Sequence, residues 1–264
     1  MIRFGRTGLK VCPLSFGTMT LGEPVDEKTS FRLLDLAFER GANFIDCANM
    51  YNAGLAEMIV GKWLAALGNR DRVIISSKVR YRVGDDPLSE GLAPATIERE
   101  LERSLERLDT DYLDIYFLHQ PDYDTPIDVT WQCLDRLARA GALRYVGLSN
   151  FAAWQVVEAD GIAKAAGWIR PTVVQAMYNL IARYPDAELM PMSRALDLGV
   201  CNYNPLAGGL FDRQVRHRRR GGRGPAVPQR QLPAALLRPA PARGRRGPLR
   251  SSPPTTAAAR WSSP

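Results

Sequence analysis

The feature of this sequence that most constrains its fold is the regular alternation of short apolar runs with amphipathic helical stretches. Seven such runs occur before residue 212, and they are rich in the β-branched and aromatic residues that buried strands favour. They cover residues 13–17, 43–46, 73–78, 112–119, 145–149, 173–177 and 200–203. Strands that alternate with helices in this rhythm form βαβ units, and such units build a parallel sheet.

The stretches between the runs have helical periodicity. Apolar residues recur on one face at Ile97, Leu101, Leu105 and Leu108 in one stretch and at Phe31, Leu34 and Phe38 in another. Asp26 is placed to cap the latter helix and Gly41 to end it. A doubly wound sheet and a barrel both fit seven strands, but no GxGxxG follows the first strand, which weakens the dinucleotide-binding doubly wound interpretation. Residues 3–11 suggest a hairpin that turns at Thr7–Gly8 and could plug the bottom of a barrel.

Charge divides the chain into two unlike parts. Residues 1–212 contain all 28 acidic residues but only 22 of the 35 basic ones, which gives this part a net charge of −6. Residues 213–264 contain the other 13 basic residues, all arginine, and no acid. The overall charge of +7 is therefore an average of an acidic body and a basic tail, and it does not indicate nucleic-acid binding by the body.

The tail differs from the body in kind. Its 52 residues include 9 prolines and show no helical or strand periodicity. High charge with many prolines is typical of disorder, so we expect a folded domain over residues 1–212 and a disordered tail over residues 213–264. Arg, Pro, Ala and Gly are what GC-rich codons give when they are read out of frame, and we expect a frameshift near Asp212. A natural basic tail is the alternative, and sequencing the coding DNA decides between the two.

Nothing in the sequence predicts export or membrane insertion. No apolar run of a signal peptide follows the first six residues, and no stretch of 18 apolar residues occurs. The four cysteines are widely spaced, which favours free thiols in a reducing compartment: Cys12, Cys47, Cys133 and Cys201. We therefore expect a cytoplasmic protein with no membrane partner and no metal site.

Four polar residues follow or end predicted strands: Asp46, Tyr51, Lys78 and His119. In a (β/α)8 barrel the active site is built at the carboxyl ends of the strands, so residues distant in sequence converge there. Each residue alone also has a structural interpretation, as a helix cap, a loop aromatic, a solvated strand end or a loop histidine. The set of four at successive strands favours a functional role.

The segments around these residues resemble the aldo-keto reductase family. Residues 43–51, NFIDCANMY, are similar to the family signature in which an Asp is followed by four residues and a Tyr. Residues 76–79, SSKV, resemble its lysine strand, and residues 111–119, DYLDIYFLH, resemble its histidine strand. Further similarity at 5–9, 16–19, 147–151, 174–180 and 203–206 extends the resemblance over residues 1 to about 212. It implies a (β/α)8 barrel that is incomplete here, with about seven strands.

The resemblance implies NAD(P)H-dependent reduction of a small or medium aldehyde or ketone. NADPH is the expected cofactor and NADH is possible. Hydride would come from the nicotinamide and the proton from Tyr51. Free tyrosine has a pKa of about 10, and we expect the nearby Lys78 ammonium to lower the pKa of Tyr51. Asp46 would hold Lys78 charged, and His119 would bind the carbonyl oxygen. Residues considered for an apolar substrate pocket, or alternatively for the core, are Met19, Met50, Tyr81 and Trp131.

The resemblance also implies which residues hold the cofactor. Ser149, Asn150 and Gln175 are expected at the nicotinamide carboxamide, and Tyr203 is expected beneath the nicotinamide ring, although Gln175 and Tyr203 could also be ordinary barrel residues. Other contacts are expected from Gly17, Thr18, Met19, Asp46, Asn204, Leu206 and Gly208. Three asparagines depart from the residues commoner in the family, and we expect them to tune the pocket: Asn49 for Asp, Asn52 for Gly and Asn204 for Ser.

The family's eighth strand is not recognisable, and in the family that region holds the adenosine 2′-phosphate. Seven strands leave an unpaired edge at each end of the sheet, so we expect low stability or rescue by a partner, and a larger loss of cofactor affinity than of catalytic geometry.

Two other functions stay open. A non-catalytic nicotinamide-binding barrel is disfavoured by the intact set of four polar residues. Nucleic-acid binding through the 13 tail arginines is disfavoured by the tail's single aromatic, Trp261, because base stacking needs aromatic side chains. The sequence carries no signal for an oligomeric state.

Overall fold

A computed structural model describes residues 1–68 and 70–211 of the chain, so the predicted boundary at residue 212 and the predicted disordered tail lie outside the described residues. The strands are β1 (Ile2–Arg3), β2 (Lys10–Val11), β3 (Phe16–Gly17), β4 (Phe44–Asp46), β5 (Ile74–Val79), β6 (Leu113–Leu118), β7 (Leu143–Ser149), β8 (Pro171–Met177) and β9 (Gly199–Tyr203). The α-helices are α1 (Glu27–Glu39), α2 (Leu55–Leu67), α3 (Pro94–Leu108), α4 (Ile127–Arg139), α5 (Ala153–Ala166) and α6 (Leu189–Ala195).

Strands β3 to β9 form one sheet in which every neighbouring pair is parallel and the spatial order follows the chain. One helix follows each strand from β3 to β8. The sheet is curled so that its two edge strands lie close together. Ser15 Oγ, just before β3, is 3.8 Å from Cys201 Sγ of β9. The predicted fold is thus confirmed as an incomplete (β/α)8 barrel with seven parallel strands in the described residues.

Alternation along the strands separates two apolar cores. In β6, Ile115 and Phe117 point into the barrel, whereas Tyr116 and Leu118 pack against the helices. Trp131 belongs to the helix-facing core, where it is fully buried and its Nε1 donates to Ile169 O at 2.7 Å. Of the two interpretations of Trp131, the structure therefore supports the core and not the substrate pocket.

The predicted N-terminal hairpin is confirmed and closes the lower end of the barrel. Strands β1 and β2 pair antiparallel, and Gly8 (φ 76°) ends the turn between them. Phe4 enters the barrel core with its ring 5.7 Å from that of Phe44. A Cβ at Gly199 would lie 2.9 Å from Phe4 Cδ2, so only glycine at this position of β9 leaves room for the ring.

Helix α1 begins and ends where its sequence signals predict. Asp26 caps α1 by accepting a 2.7 Å hydrogen bond from Thr29 N, and Gly41 (φ 89°) follows its end.

All four cysteines are free thiols. Among the helices of the described residues, none has both the length and the apolarity required to cross a bilayer.

Candidate active site

Parallel strand ends bring the four predicted polar residues together. Asp46 is the last residue of β4, Lys78 is the second-last residue of β5, and His119 directly follows β6. Tyr51 lies in the turn after β4. Lys78 Nζ is 2.7 Å from Asp46 Oδ2 and 3.2 Å from Tyr51 Oη, and the rings of Tyr51 and His119 are 6.0 Å apart between centroids.

Lys78 is the centre of this cluster. Its side chain is fully buried, and its three ammonium hydrogens have three acceptors: Asp46 Oδ2, Cys47 O at 2.6 Å and Tyr51 Oη. Burial alone lowers the pKa of Lys78, but the Asp46 charge and the hydrogen bonds to Asp46 and Tyr51 together outweigh it and raise that pKa. The lysine therefore stays charged at neutral pH.

Asp46 is held from two sides. Its Oδ1 accepts a 2.6 Å hydrogen bond from Ser76 Oγ, while its backbone oxygen accepts from both the N–H and the hydroxyl of Thr18 at 3.1 Å. Ser76 is not among the site residues that the sequence predicts. A signal existed, because Ser76 precedes Lys78 by two positions on β5 and residues at that spacing point to the same face of a strand.

Tyr51 differs from the expectation in its acidity. Burial raises the pKa of Tyr51 and outweighs the opposite influence of the Lys78 ammonium, so the net shift is upward. The prediction that Lys78 lowers this pKa was right for the direction of that one contribution but wrong for the sum. Tyr51 is a neutral phenol whose oxygen accepts from Lys78, and its own hydrogen has no acceptor within residues 1–68 and 70–211.

His119 is a neutral imidazole. Burial, reinforced by the Lys78 charge, lowers the pKa of His119 well below its ordinary value. Its Nδ1 is buried and has no hydrogen-bond partner among the described residues. Tyr81 packs edge-on against the ring at 4.9 Å and donates its hydroxyl to the Gln120 side chain, so Tyr81 borders the site as the pocket hypothesis has it.

The residues expected at the carboxamide form a neutral hydrogen-bond network at the ends of β7, β8 and β9. Tyr203 Oη donates to Asn150 Oδ1 at 2.8 Å, and Asn150 Nδ2 donates to Ser149 Oγ at 3.1 Å and to His119 O at 3.0 Å. Ser149 Oγ is 3.4 Å from Gln175 Oε1. Burial raises the pKa of Tyr203 to about 12, so this hydroxyl stays protonated.

This network fits an amide ligand because the Gln175 amide keeps a spare donor. In the described residues, Gln175 Nε2 meets only the weak acceptor Cys201 Sγ, at 3.7 Å. Gln175 is buried, and a buried amide with an unused hydrogen is ready to bind a polar group. A carboxamide supplies both an acceptor and a donor for such a site.

The remaining residues expected at the cofactor lie at the same end of the sheet, after β3 and β9. Gly17 has open space where a side chain would stand, and Met19 is half exposed. Thr18 is buried and its hydroxyl is already bound to Asp46 O. Asn204 (φ 61°) accepts from Gly208 N at 2.7 Å, which shapes the turn that contains the exposed Leu206.

Comparison with known proteins gives one family and a set of similar chains. Residues 13–247 match the model of the Aldo/keto reductase family, a range that extends past the last described residue. An uncharacterised oxidoreductase of Bacillus subtilis is 42% identical over 217 residues, which cover 78% of this chain and 66% of the relative. Aflatoxin B1 aldehyde reductase member 2 of Rattus norvegicus is 38% identical over 210 residues, with 79% and 56% covered.

A third relative is named for a different role. A probable voltage-gated potassium channel subunit beta of Oryza sativa is 36% identical over 210 residues, which cover 78% of this chain and 64% of the relative. The chain thus spans 56% to 66% of the length of these three relatives.

Proposed function

Because the chain belongs to the aldo/keto reductase family, we propose that it reduces an aldehyde or ketone to an alcohol with a nicotinamide cofactor. One observation carries this proposal. A neutral Tyr51 phenol, whose hydrogen is not engaged by any described residue, lies 3.2 Å from a buried Lys78 ammonium and beside His119. This arrangement can give a proton to a carbonyl oxygen.

Tyr51 is the proposed general acid. Its raised pKa keeps the proton on the phenol until the carbonyl oxygen gains negative charge. The Lys78 ammonium then stabilises the phenolate that remains, and Asp46 keeps Lys78 charged and oriented at 2.7 Å. General acid catalysis of this kind contributes roughly 10²–10⁴-fold to a rate.

His119 is the proposed binding group for the carbonyl oxygen. A neutral imidazole has one N–H donor, and a hydrogen bond from it to the substrate oxygen would set the orientation of the carbonyl next to Tyr51. Burial, and secondarily the Lys78 charge, lowers the pKa of His119 and keeps the imidazole neutral. His119 therefore orients the substrate and leaves proton transfer to Tyr51.

A bound reduced nicotinamide supplies the hydride. We propose that Ser149, Asn150 and Gln175 hold its carboxamide and that Tyr203 lies under its ring. The remaining proposed contacts are Gly17, Thr18, Met19, Asp46, Asn204, Leu206 and Gly208. NADPH is the proposed donor and NADH the alternative, and the substrate is a small or medium carbonyl compound. The aldehyde reductase relatives favour an aldehyde.

The test compares Tyr51→Phe with the unaltered full chain. We expect the reduction rate with a panel of aldehydes to fall at least 100-fold, because phenylalanine has no proton to give. The dissociation constant for NADPH, measured by fluorescence titration, should stay within about twofold, because the proposed cofactor contacts lie on other residues. Tyr112→Phe is the matched control, since Tyr112 binds only Asp71 by its hydroxyl and lies outside the site.

Near-normal turnover by Tyr51→Phe would remove Tyr51 from the acid role. A full chain that binds neither NADPH nor NADH would contradict the cofactor assignment. The second candidate, a non-catalytic nicotinamide-binding regulatory subunit, is favoured by the channel-subunit relatives. It predicts saturable NADPH binding without turnover of any carbonyl compound, and the same titration and assay distinguish it from the reductase.

A further inference from the structure

Asn52 follows Tyr51 in the turn after β4, in a conformation that few residues adopt. Its backbone lies in the left-handed region (φ 49°, ψ 44°), as does that of Ala53 (φ 53°). Asparagine tolerates this region better than most residues other than glycine. The left-handed conformation therefore favours Asn or Gly at position 52, but the Asn52 side chain also makes contacts that glycine cannot make.

The side-chain amide of Asn52 meets three backbone carbonyls of a loop that lies about 30 residues earlier. Its Nδ2 is 2.7 Å from Leu21 O, 2.9 Å from Glu23 O and 3.4 Å from Met19 O. An amide has two N–H hydrogens, so the two short contacts are good hydrogen bonds and the third is at the limit. One side chain thus binds most of the loop that joins β3 to α1.

The loop is also held by backbone hydrogen bonds and by apolar packing, since Leu21 is buried in the core. Its start is fixed where Thr18 binds Asp46 O, and it then folds on itself through Gly22 N to Val25 O at 2.7 Å and Val25 N to Thr20 O at 3.1 Å. Gly22 packs closely on Leu55 of α2, where a Cβ would come within 2.6 Å of the leucine side chain. Among the described residues, the hydrogen bonds between residues 19–23 and the turn that carries Tyr51 come from Asn52.

We propose that Asn52 is a positioning residue that clamps the β3–α1 loop onto the turn that carries Tyr51. The clamp fixes residues 19–23 relative to Tyr51, which directly precedes Asn52 in the chain. The clamp itself depends only on the contacts above. Its consequence for the cofactor rests on the proposed function, because it requires that residues 17–19 line the nicotinamide nucleotide.

Two variants test the clamp. Asn52→Gly keeps the left-handed turn and removes the amide. Asn52→Asp keeps the size and the conformation but turns a donor into an acceptor that faces three carbonyl oxygens. Ala53→Gly is the matched control, because it adds freedom to the same turn and leaves the Asn52 amide in place.

Amide hydrogen exchange of the full chain measures the clamp without any ligand. We expect exchange at Leu21, Gly22 and Val25 to accelerate roughly 10-fold in Asn52→Gly, which corresponds to about 1.4 kcal/mol, and further in Asn52→Asp. Exchange in β5 and β6 should stay unchanged, as should the loop in Ala53→Gly. Unchanged exchange of the loop in Asn52→Gly overturns the clamp, whether or not Asn52→Asp folds.

Steady-state kinetics and NADPH titration measure the consequence. We expect the KM and the dissociation constant for NADPH to rise roughly 10-fold in Asn52→Gly while kcat stays within twofold, because the contact of Tyr51 with Lys78 is intact. A purely structural role would lower kcat and the unfolding midpoint together. Faster exchange with unchanged NADPH affinity overturns the link to the cofactor. If the unaltered chain binds no nicotinamide, the proposed function fails, and the exchange rates still decide the clamp.

Discussion

The early and late halves of the incomplete barrel organise their polar side chains in opposite ways. At the ends of β4 to β6, charged groups are buried together: Lys78 is completely enclosed and its ammonium is saturated by Asp46, Cys47 O and Tyr51. At the ends of β7 to β9, the network consists of neutral amides and hydroxyls, and Gln175 keeps an unused donor.

In the early half, the ion pair of Lys78 and Asp46 is complete without a ligand, whereas in the late half the Gln175 amide keeps an unused donor. Buried charges interact strongly because little water screens them, and each must therefore be fully paired. A neutral network tolerates spare donors at lower cost and can give them to an incoming group. Under the proposed function, the early half supplies the proton and the late half binds the cofactor.

The largest effect should come from breaking the early half at its centre. Lys78→Met removes the ammonium and leaves the Asp46 carboxylate buried without its counter-charge. We expect the free energy of unfolding to fall by about 3–5 kcal/mol and any carbonyl reduction to fall by roughly 10²–10⁴-fold. Urea unfolding followed by circular dichroism and a reductase assay measure the two losses.

A second variant keeps this prediction decisive. Asp46→Asn combined with Lys78→Met removes both charges, so most of the stability should return while the reductase rate stays low. Recovery of activity in the double variant would show that the charge pair serves folding only. Equal destabilisation by the single and the double variant would show that pairing with Asp46 is not what makes Lys78 tolerable in the interior.

The sequence predicted the arrangement of the early half better than its energetics. Seven strands, the hairpin and the convergence of Asp46, Tyr51, Lys78 and His119 could be predicted, because hydrophobic periodicity fixes the strands and parallel strands align their carboxyl ends. The net direction of the Tyr51 pKa could not be predicted. It depends on how far burial outweighs one neighbouring charge, and the degree of burial is a property of the packed structure.

Contacts between distant loops were equally invisible in the sequence. In the sequence, Asn52 stands out only as a departure from a commoner glycine, yet its amide binds the backbone oxygens of Leu21 and Glu23. No periodicity marks such a pair, because turns place side chains by local dihedral angles and not by a repeating pattern. The shared face of Ser76 and Lys78, in contrast, follows from strand alternation and was available before the structure.

The N-terminal hairpin contacts both halves at the lower end of the barrel. Phe4 packs on Phe44 of β4 and against Gly199 of β9, so it joins strands from opposite ends of the sheet. Phe4→Ala should lower the free energy of unfolding by about 3 kcal/mol, because it leaves a cavity in a closely packed core. Urea unfolding of the full chain measures the change.

Tyr123→Ala is the control, because Tyr123 is 77% exposed and its loss should change stability by less than about 0.5 kcal/mol. If Phe4→Ala lowers the free energy of unfolding by less than about 1 kcal/mol, the hairpin contributes little to stability and does not join the two halves. If the loss is accompanied by faster amide exchange in β9 but not in β5, the late half depends on the hairpin more than the early half does.

The smallest effect is a pH dependence that belongs to the early half alone. In the folded chain the pKa of His119 lies well below its ordinary value, whereas the unfolded chain takes up this proton near pH 6.5. Below that pH the unfolded state binds a proton that the folded state refuses, so stability is retained above pH 6.5 and lost as the pH falls. Between pH 7.5 and 5.5 the loss should be about 1.4 kcal/mol.

Urea unfolding at pH 7.5, 6.5 and 5.5 measures this loss in the full chain, and His119→Asn should remove it. The other histidine, His217, contributes equally to both proteins and cancels in the comparison. Tyr203→Phe in the late half should leave the pH dependence unchanged, because the pKa of Tyr203 is about 12 and the group does not titrate in this range. A slope that persists in His119→Asn but disappears in Tyr203→Phe would reverse the contrast between the two halves, since the late half would then contain the group that senses pH.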